Sequence, residues 1–303
     1  MEKIDVKEFE SLYDGSNMEN LINKLVKELK NDAEIYEILK PLNMTMREVR
    51  DNIAKLTEFK DDYHICKNCP GIDKCSKSIP HVKMNLSKDR GYVACSYEPC
   101  DKILDKIHLD NLYLFYDCPL PWRESTLRNL DLSAVRKQII KDFSKIIDGD
   151  SKRWLYIKGK HKTGKTFTLV TFANEFARLN KGQVAVIDSA TMFKDLADLS
   201  YKDKEEFARK IVSLNNVDLL VLDNFGSEYK NEYIRDSIVI PLLIDREKNS
   251  RLTFFTSDFS IKEIKELYSI GKTAGEIRAR QLVNILETMC EKEYDFNGIS
   301  LYK

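Results

Sequence analysis

The chain has no surplus of charge: 49 lysines and arginines meet 49 aspartates and glutamates across 303 residues. A protein whose main partner is nucleic acid usually carries a basic excess, so any DNA contact here must be local. No uninterrupted apolar run reaches the ~18 residues of a membrane span, so no membrane partner is expected. The opening MEKIDVKEFE lacks a basic segment followed by an apolar one, so no secretory signal is expected and the chain reads as cytoplasmic. Internal repeats and low-complexity tracts are missing too. What remains, 43% hydrophobic and 32% charged, is the composition of a folded core, and the length accommodates two compact domains.

The seven cysteines are an odd number, and five of them fall between Cys66 and Cys100. In an intracellular chain that clustering suggests a metal site rather than a disulfide framework. Cys66-x-x-Cys69 is a typical knuckle, turned by Pro70-Gly71. Zinc takes four tetrahedral ligands, and six candidates compete: Cys66, Cys69, Cys75, His81, Cys95 and Cys100, with His64 as another nitrogen donor. A site filled by four protein ligands is structural rather than catalytic. Buried free thiols packing as small hydrophobes are the plain alternative. Cys118 and Cys290 have no partners in sequence and read as ordinary thiols.

Ahead of this cluster, Leu21, Leu25, Leu29, Ile35, Ile38, Leu39 and Leu42 lie roughly on one helical stripe over residues 16–43. Met46, Val49, Ile53 and Leu56 continue in a second helix. Thr45 with Glu48 three residues on forms its capping box. The stripe either closes a local core or docks on a partner protein. From about Asp101 to Asp131 the pattern weakens, broken by Pro119 and Pro121. The domains therefore read as 1–105, helical and zinc-binding; 106–134, a linker; and 135–303, a second folded domain.

From Val135 onward, helices alternate with short apolar runs: Trp154–Ile157, Val184–Ile187, Asp218–Leu222 and Leu252–Phe255. That alternation predicts an α/β fold, a parallel sheet wrapped by helices. Between the first strand and the next helix stands Gly159-Lys-His-Lys-Thr-Gly-Lys-Thr166, which matches G-x-x-x-x-G-K-[ST] at every required position. Gly159 and Gly164 permit the tight path that aims N–H groups at phosphate oxygens. Lys165 supplies charge to the terminal phosphates, and the Thr166 hydroxyl can ligate Mg²⁺. Thr163 and Phe167 complete the expected ATP-binding segment. The helix beginning at Lys165 points its positive end at the same anion. Asp223, closing an apolar strand, is placed to hold Mg²⁺, and the phosphate loop is expected on a neighbouring strand. Asp218 reads as a solvated turn residue, and His161 occupies a variable loop position.

These residues, with Asp223-Asn-Phe-Gly226, Tyr233-Ile-Arg-Asp236 and Phe254-Phe-Thr-Ser-Asp-Phe-Ser260, resemble the P-loop AAA+ module of bacterial replicative helicase loaders, the primosomal DnaI type, and the related transposition helper ATPases. The resemblance spans nearly the whole chain, because those loaders also carry a zinc-binding N-terminal domain. It implies an ATPase that binds the hexameric replicative helicase, helps place it on single-stranded DNA, and self-assembles. It also implies the zinc set Cys66, Cys69, His81 and Cys100, with Cys75 and then Cys95 in reserve. Arg280 would be the transition-state arginine, and Arg278 lies beside it. Two positions depart from the family. Asn224 stands where a second acid is usual, and Asp258 stands where the sensor strand usually ends in Asn. The pair can be read as an exchange that still offers one carboxylate and one amide to the attacking water. The competing readings are a nucleotide-gated adaptor with weak or no hydrolysis and a transposition-type helper. Only 45 residues follow Asp258 (303 − 258), leaving room for little helical lid.

Overall fold

The short apolar runs of the second half become the inner strands of one sheet. A computed structural model of the chain describes residues 15–89, 92–131 and 133–297; the opening MEKIDVKEFE lies outside them. The chain divides into two compact units, Met1–His108 and Leu109–Lys303.

In the first unit, helices α1 (Gly15–Asn31), α2 (Ala33–Leu39), α3 (Met46–Asp51) and α4 (Ile53–Lys67) precede an antiparallel hairpin, β1 (Val82–Asp89) with β2 (Tyr92–Pro99). The single helix expected over 16–43 is broken at Asp32, whose side chain accepts the Ile35 N–H and caps α2. Because the break rotates the stripe, Leu21 and Ile38 are exposed, and the core is Val26, Leu29, Ile35, Ile53 and Leu56. The second helix divides too, at Asn52. The Thr45–Glu48 capping box is present: the threonine hydroxyl accepts the Glu48 N–H, and Glu48 accepts the Thr45 N–H at 2.7 Å.

The second unit begins within α5 (Asp101–Asn111) and continues through β3 (Tyr113–Tyr116), α6 (Ala134–Ile147), β4 (Trp154–Lys158), α7 (Lys165–Arg178), β5 (Val184–Asp188), α8 (Ser189–Lys202) and α9 (Lys204–Asn216). There follow β6 (Leu219–Asp223), a π-helical stretch Ile234–Val239, α10 (Ile240–Lys248), β7 (Leu252–Ser257), α11 (Ile261–Tyr268), α12 (Lys272–Met289) and β8 (Cys290–Asp295). The helix expected through Met192–Leu214 is two helices, because Asp203 caps the second by accepting the Glu206 N–H at 2.9 Å.

All six strands run parallel, in the order β3-β5-β6-β7-β4-β8. Alternate residues serve opposite faces. Leu155, Ile157, Val184, Val186, Leu219, Val221 and Phe254 pack with α6 and α7, where Phe143 stacks on Phe172 at 4.2 Å. Tyr156, Ala185, Ile187, Leu220, Leu222 and Phe255 pack with α8 and α10–α12. Both faces are buried, so these strands carry unbroken apolar runs. Each large side chain so buried contributes roughly 1.5–3 kcal/mol.

Two expectations are corrected here. The segment read as a linker is built into the second unit: β3 pairs with β5, and Leu109, Leu112, Trp122 and Leu127 pack on the core beneath α7. Its prolines mark a 3₁₀ turn, Leu120–Glu124, and a second such turn follows at Leu127–Asn129, rather than a tether. Nor does the phosphate-loop strand β4 neighbour the acidic strand β6, since β7 lies between them. Consecutive apolar strands cannot reveal their lateral order.

Candidate functional site

Parallel strands put all their C-terminal ends on one edge, where open α/β sheets bind ligands. That edge carries the phosphate loop after β4, Asp188 after β5, Asp223 after β6 and Asp258 after β7. Leaving β4, Gly159 donates its N–H to the Ser257 carbonyl at 3.1 Å. A Cβ at Gly159 would meet Phe296 at 3.2 Å, so glycine is required there for packing as well as for its φ of 152°. Gly164 turns at φ 83° into α7, the helix whose N-terminus closes the loop.

Lys165 is buried. Its ammonium donates to the Gly159 carbonyl at 2.7 Å, the Lys160 carbonyl at 2.9 Å and Asp258 Oδ1 at 2.8 Å. The lysine is thus held across the mouth of its own loop, in reach of an incoming phosphate. Asp223 Oδ1 accepts hydrogen bonds from the Thr166 hydroxyl, at 2.7 Å, and from the Thr256 hydroxyl of β7. Through those two hydroxyls the intervening strand carries Asp223 to the loop. Burial raises the Asp223 carboxyl, and the two hydroxyl donors only partly offset it. A bound divalent cation would reverse that balance.

A cavity of about 590 Å³ opens beside this cluster. One wall is His161–Phe167 with Asp223 and Asn224; the other is Asp117, Cys118, Trp122, Asn129 and Leu130, with Asp131 and Arg136. The second wall is the supposed linker. Trp122 sets its ring edge-on to Phe167 at 5.4 Å, and Arg136, fully buried, donates to the Thr163 carbonyl at 3.0 Å while pairing with Asp131. Cys118, an ordinary thiol packed on the core, also lines this cavity, and burial pushes it up to about 12. It remains protonated and acts as an apolar wall.

Sequence reading singled out Asn224 and Asp258 together, but the structure gives each a different partner. Asp258, exposed, pairs with Lys165. Asn224 donates its side-chain amide to Asp188 Oδ2 at 2.9 Å and its backbone N–H to the Thr256 hydroxyl at 3.0 Å. Its φ is 54°, a left-handed conformation in which asparagine is favoured over most residues. Asp218, part-exposed just before β6, is tied as well as solvated: it accepts the Gln183 N–H at 2.8 Å and pairs with Arg251. Arg278 and Arg280 are both exposed on α12, and Arg278 donates to Gln281 at 2.9 Å. Asp188, Thr256 and Arg136 were given no site role in the sequence, although Thr256 lies in the Phe254–Ser260 run. Asp188 had a usable signal, since it ends an apolar strand just as Asp223 does.

In the first unit, Cys66, Cys69, Cys75, His81 and Cys100 all line one cavity of about 560 Å³, whereas Cys95 sits on β2 away from it. Among the described residues no three Cys, His, Asp or Glu side chains stand at metal-ligand spacing. The surroundings nevertheless suit a thiolate. The Gly71 N–H lowers the Cys69 thiol, and Lys77 lies beside Cys66. His81 Nε2 bonds the Ile72 carbonyl at 2.9 Å, an arrangement that leaves Nδ1 for a metal. Lys77 also pairs with Asp62 at 2.8 Å in this wall.

Comparison with known proteins gives a consistent set of relatives, although no protein-family model matches the chain. It is 25% identical to the replicative helicase loader DnaI of Bacillus subtilis (strain 168) over 283 residues, which is 88% of this chain and 87% of that protein. Over 134 residues it is 27% identical to the replicative helicase loader DnaC of Escherichia coli (strain K12), covering 43% of this chain and 51% of DnaC. Among solved structures, a crystal structure of DnaI superposes with a TM-score of 0.54 at 21% identity, covering 61% of this chain and 97% of the other. That superposition shows a shared fold over 61% of this chain, in keeping with its six-stranded parallel sheet flanked by helices.

Proposed function

We propose a function that starts from the homology of this chain to the DnaI- and DnaC-type replicative helicase loaders: it binds a hexameric replicative helicase and uses ATP to help place it on single-stranded DNA. Support comes from similarity that runs through both units, 88% of the chain, rather than through the nucleotide module alone. The setting of such a loader is the cytoplasm.

The second unit is the ATPase. Lys165 and the loop amides receive the β- and γ-phosphates, and the γ-phosphate displaces Asp258 from the lysine. Mg²⁺, when bound, neutralises developing charge between the phosphates. Thr166 and Asp223 are already joined at 2.7 Å, so the oxygen pair that would hold it is assembled beforehand. Asn224 offers an amide oxygen where an acid is usual, which makes turnover slow. Arg280, exposed on α12, is free to reach a neighbouring copy's nucleotide, the role that its family resemblance suggests. The segment 117–131 covers the nucleotide's other end.

The first unit is the helicase-binding part, and zinc fixes its cysteine wall. Cys66, Cys69, His81 and Cys100 are the ligands, with Cys75 as the alternative for one place. The metal is structural and takes no part in the reaction.

A second reading, a nucleotide-gated adaptor that binds ATP without hydrolysing it, is favoured by the missing acid at Asn224. A single reconstitution separates the two. The full chain is mixed with a replicative helicase and closed circular single-stranded DNA, with Mg-ATP or a non-hydrolysable analogue. The loader reading expects a stoichiometric complex and ATP-dependent transfer onto circles. Transfer that is equal with the analogue favours the adaptor, and no complex in either nucleotide rejects both.

A further inference from the structure

The strand end that sequence reading passed over holds the residue that had to be explained. β5 delivers Asp188 to the nucleotide edge in register with Asp223 of β6. Its two carboxylate oxygens do separate work. Oδ1 accepts the Thr191 N–H and the Thr191 hydroxyl, each at 2.9 Å, which is an ordinary helix cap for α8. Oδ2 has nothing to do with that cap; it accepts the Asn224 amide at 2.9 Å. Capping alone therefore explains half of this side chain.

The other half has a geometric consequence. A carboxylate accepts hydrogen bonds and donates none, so the Asn224 atom facing it is nitrogen and the amide oxygen is turned away from Asp188. Asn224 lines the cavity that also contains Lys165, Thr166 and Asp223. Its backbone is pinned from the other side by the hydroxyl of Thr256. Asp188 is itself fixed, its backbone N–H donating to Asp117 Oδ2 at 3.2 Å. Burial would raise the Asp188 carboxyl, but the bonds from Asn224 and Thr191 outweigh it and hold the group below its ordinary value.

We propose that Asp188 is a positioning residue for ATP hydrolysis: it locks the Asn224 amide so that the oxygen, not the nitrogen, faces the terminal phosphate and orients the attacking water. The inference rests on the ATPase reading above. In the step, the water oxygen bonds to the γ-phosphorus while the bond from that phosphorus to the bridging oxygen breaks. The electron pair leaves on the β-phosphate of ADP. An amide takes up no proton, so the water's proton passes to a γ-phosphate oxygen and the products are ADP and dihydrogen phosphate. An amide oxygen aimed this way substitutes for a general base by placement, which is slower but sufficient.

Asp188→Asn is the informative variant, because asparagine caps a helix as well as aspartate does. It keeps α8 and removes only the acceptor-only character toward Asn224, so two amide nitrogens compete and Asn224 loses its fixed orientation. Steady-state turnover, Mg-ATP affinity by calorimetry and the melting temperature are measured on the full chain. The expected result is a roughly 10- to 100-fold fall in kcat with affinity and melting temperature unchanged. The exchanged double variant, Asp188→Asn with Asn224→Asp, rebuilds a carboxylate–amide pair with the carboxylate on the water side and restores turnover to at least the original rate. Unchanged kcat in Asp188→Asn overturns the assignment alone. A parallel loss of affinity, melting temperature and kcat, with no rescue, also overturns it and leaves Asp188 a purely structural cap. An unaltered chain that binds Mg-ATP but never hydrolyses it removes the ATPase reading and this assignment together.

Discussion

The two units hold their chemistry in opposite ways. In the second, every polar group of the site is tied to a strand end whose position a large buried sheet dictates: Lys165 to Asp258, Thr166 and Thr256 to Asp223, Asn224 to Asp188. The site is assembled before any ligand arrives. In the first, the core is small, and five cysteine or histidine side chains surround a cavity without reaching one another's ligand distance. A site backed by a sheet can be preorganised by packing, whereas in the first unit the proposed zinc would supply that constraint.

The sharpest way to break that comparison is to remove the proposed ion. Strong chelation, or Cys66→Ser with Cys69→Ser, is expected to unfold the first unit, since structural zinc contributes on the order of 10 kcal/mol to small domains. Limited proteolysis would show residues 15–108 degraded while the second unit and its nucleotide affinity survive. Metal analysis finding no zinc in the purified chain, or no change in proteolysis, contradicts the claim.

Next in size is Lys165→Ala. Charge-assisted bonds contribute ~1.5–3 kcal/mol each, so ATP affinity should fall roughly 10- to 100-fold or more. Helicase binding by the first unit should persist in a co-sedimentation assay without nucleotide. Loss of that binding as well would mean that the units do not act separately.

Asp258→Asn tests the preorganised site from within. Asp258 is exposed, so its pairing with Lys165 is discounted for solvent screening. Releasing the lysine and removing a charge that faces the γ-phosphate should tighten ATP binding by about 3- to 10-fold, read by calorimetry. Weaker binding, or a collapse of turnover, would return Asp258 to the role of a water-activating acid.

The smallest effect belongs to the first unit's capping box. Lys88, then the Thr45 N–H, hold the Glu48 carboxyl down at about 2 against an ordinary 4.5. A folded-state value below the unfolded one stabilises the fold fully above pH 4.5 and loses that contribution as pH falls from 4.5 toward 2. Glu48→Gln should therefore lower the first unit's melting temperature slightly at pH 7, with the difference closing as pH falls toward 2, which flattens the acid limb. Identical acid limbs for the two proteins would remove the capping contribution.

The same contrast governs what could be read without coordinates. The strands were legible because both sheet faces are buried, which writes Leu219–Leu222 and Val184–Ile187 as unbroken apolar runs. The phosphate loop was legible because its spacing is dictated by the ligand. Lateral order was not, so β7 was missed between β4 and β6, and with it Thr256. Segment 109–134 failed because a four-residue edge strand and two 3₁₀ turns leave no periodic signature. The cysteine spacing located the first unit's cavity but not its ligand set, since six donors for four places is a question of geometry. Asp32 broke a helix that the stripe carried through because its side chain caps the next one, and the second helix divides at Asn52, whose side-chain amide donates to the Glu48 carbonyl instead of capping.

The central claim is that the second unit encloses the terminal phosphates of a nucleotide. Its most direct test is calorimetric titration of the full chain, in Mg²⁺, with ATP, ADP and AMP. Saturable binding of ATP and ADP at one site per chain, with AMP far weaker and all of it lost in Lys165→Ala, is the predicted result. Equal binding of AMP and ATP, or no heat from any of the three, contradicts it.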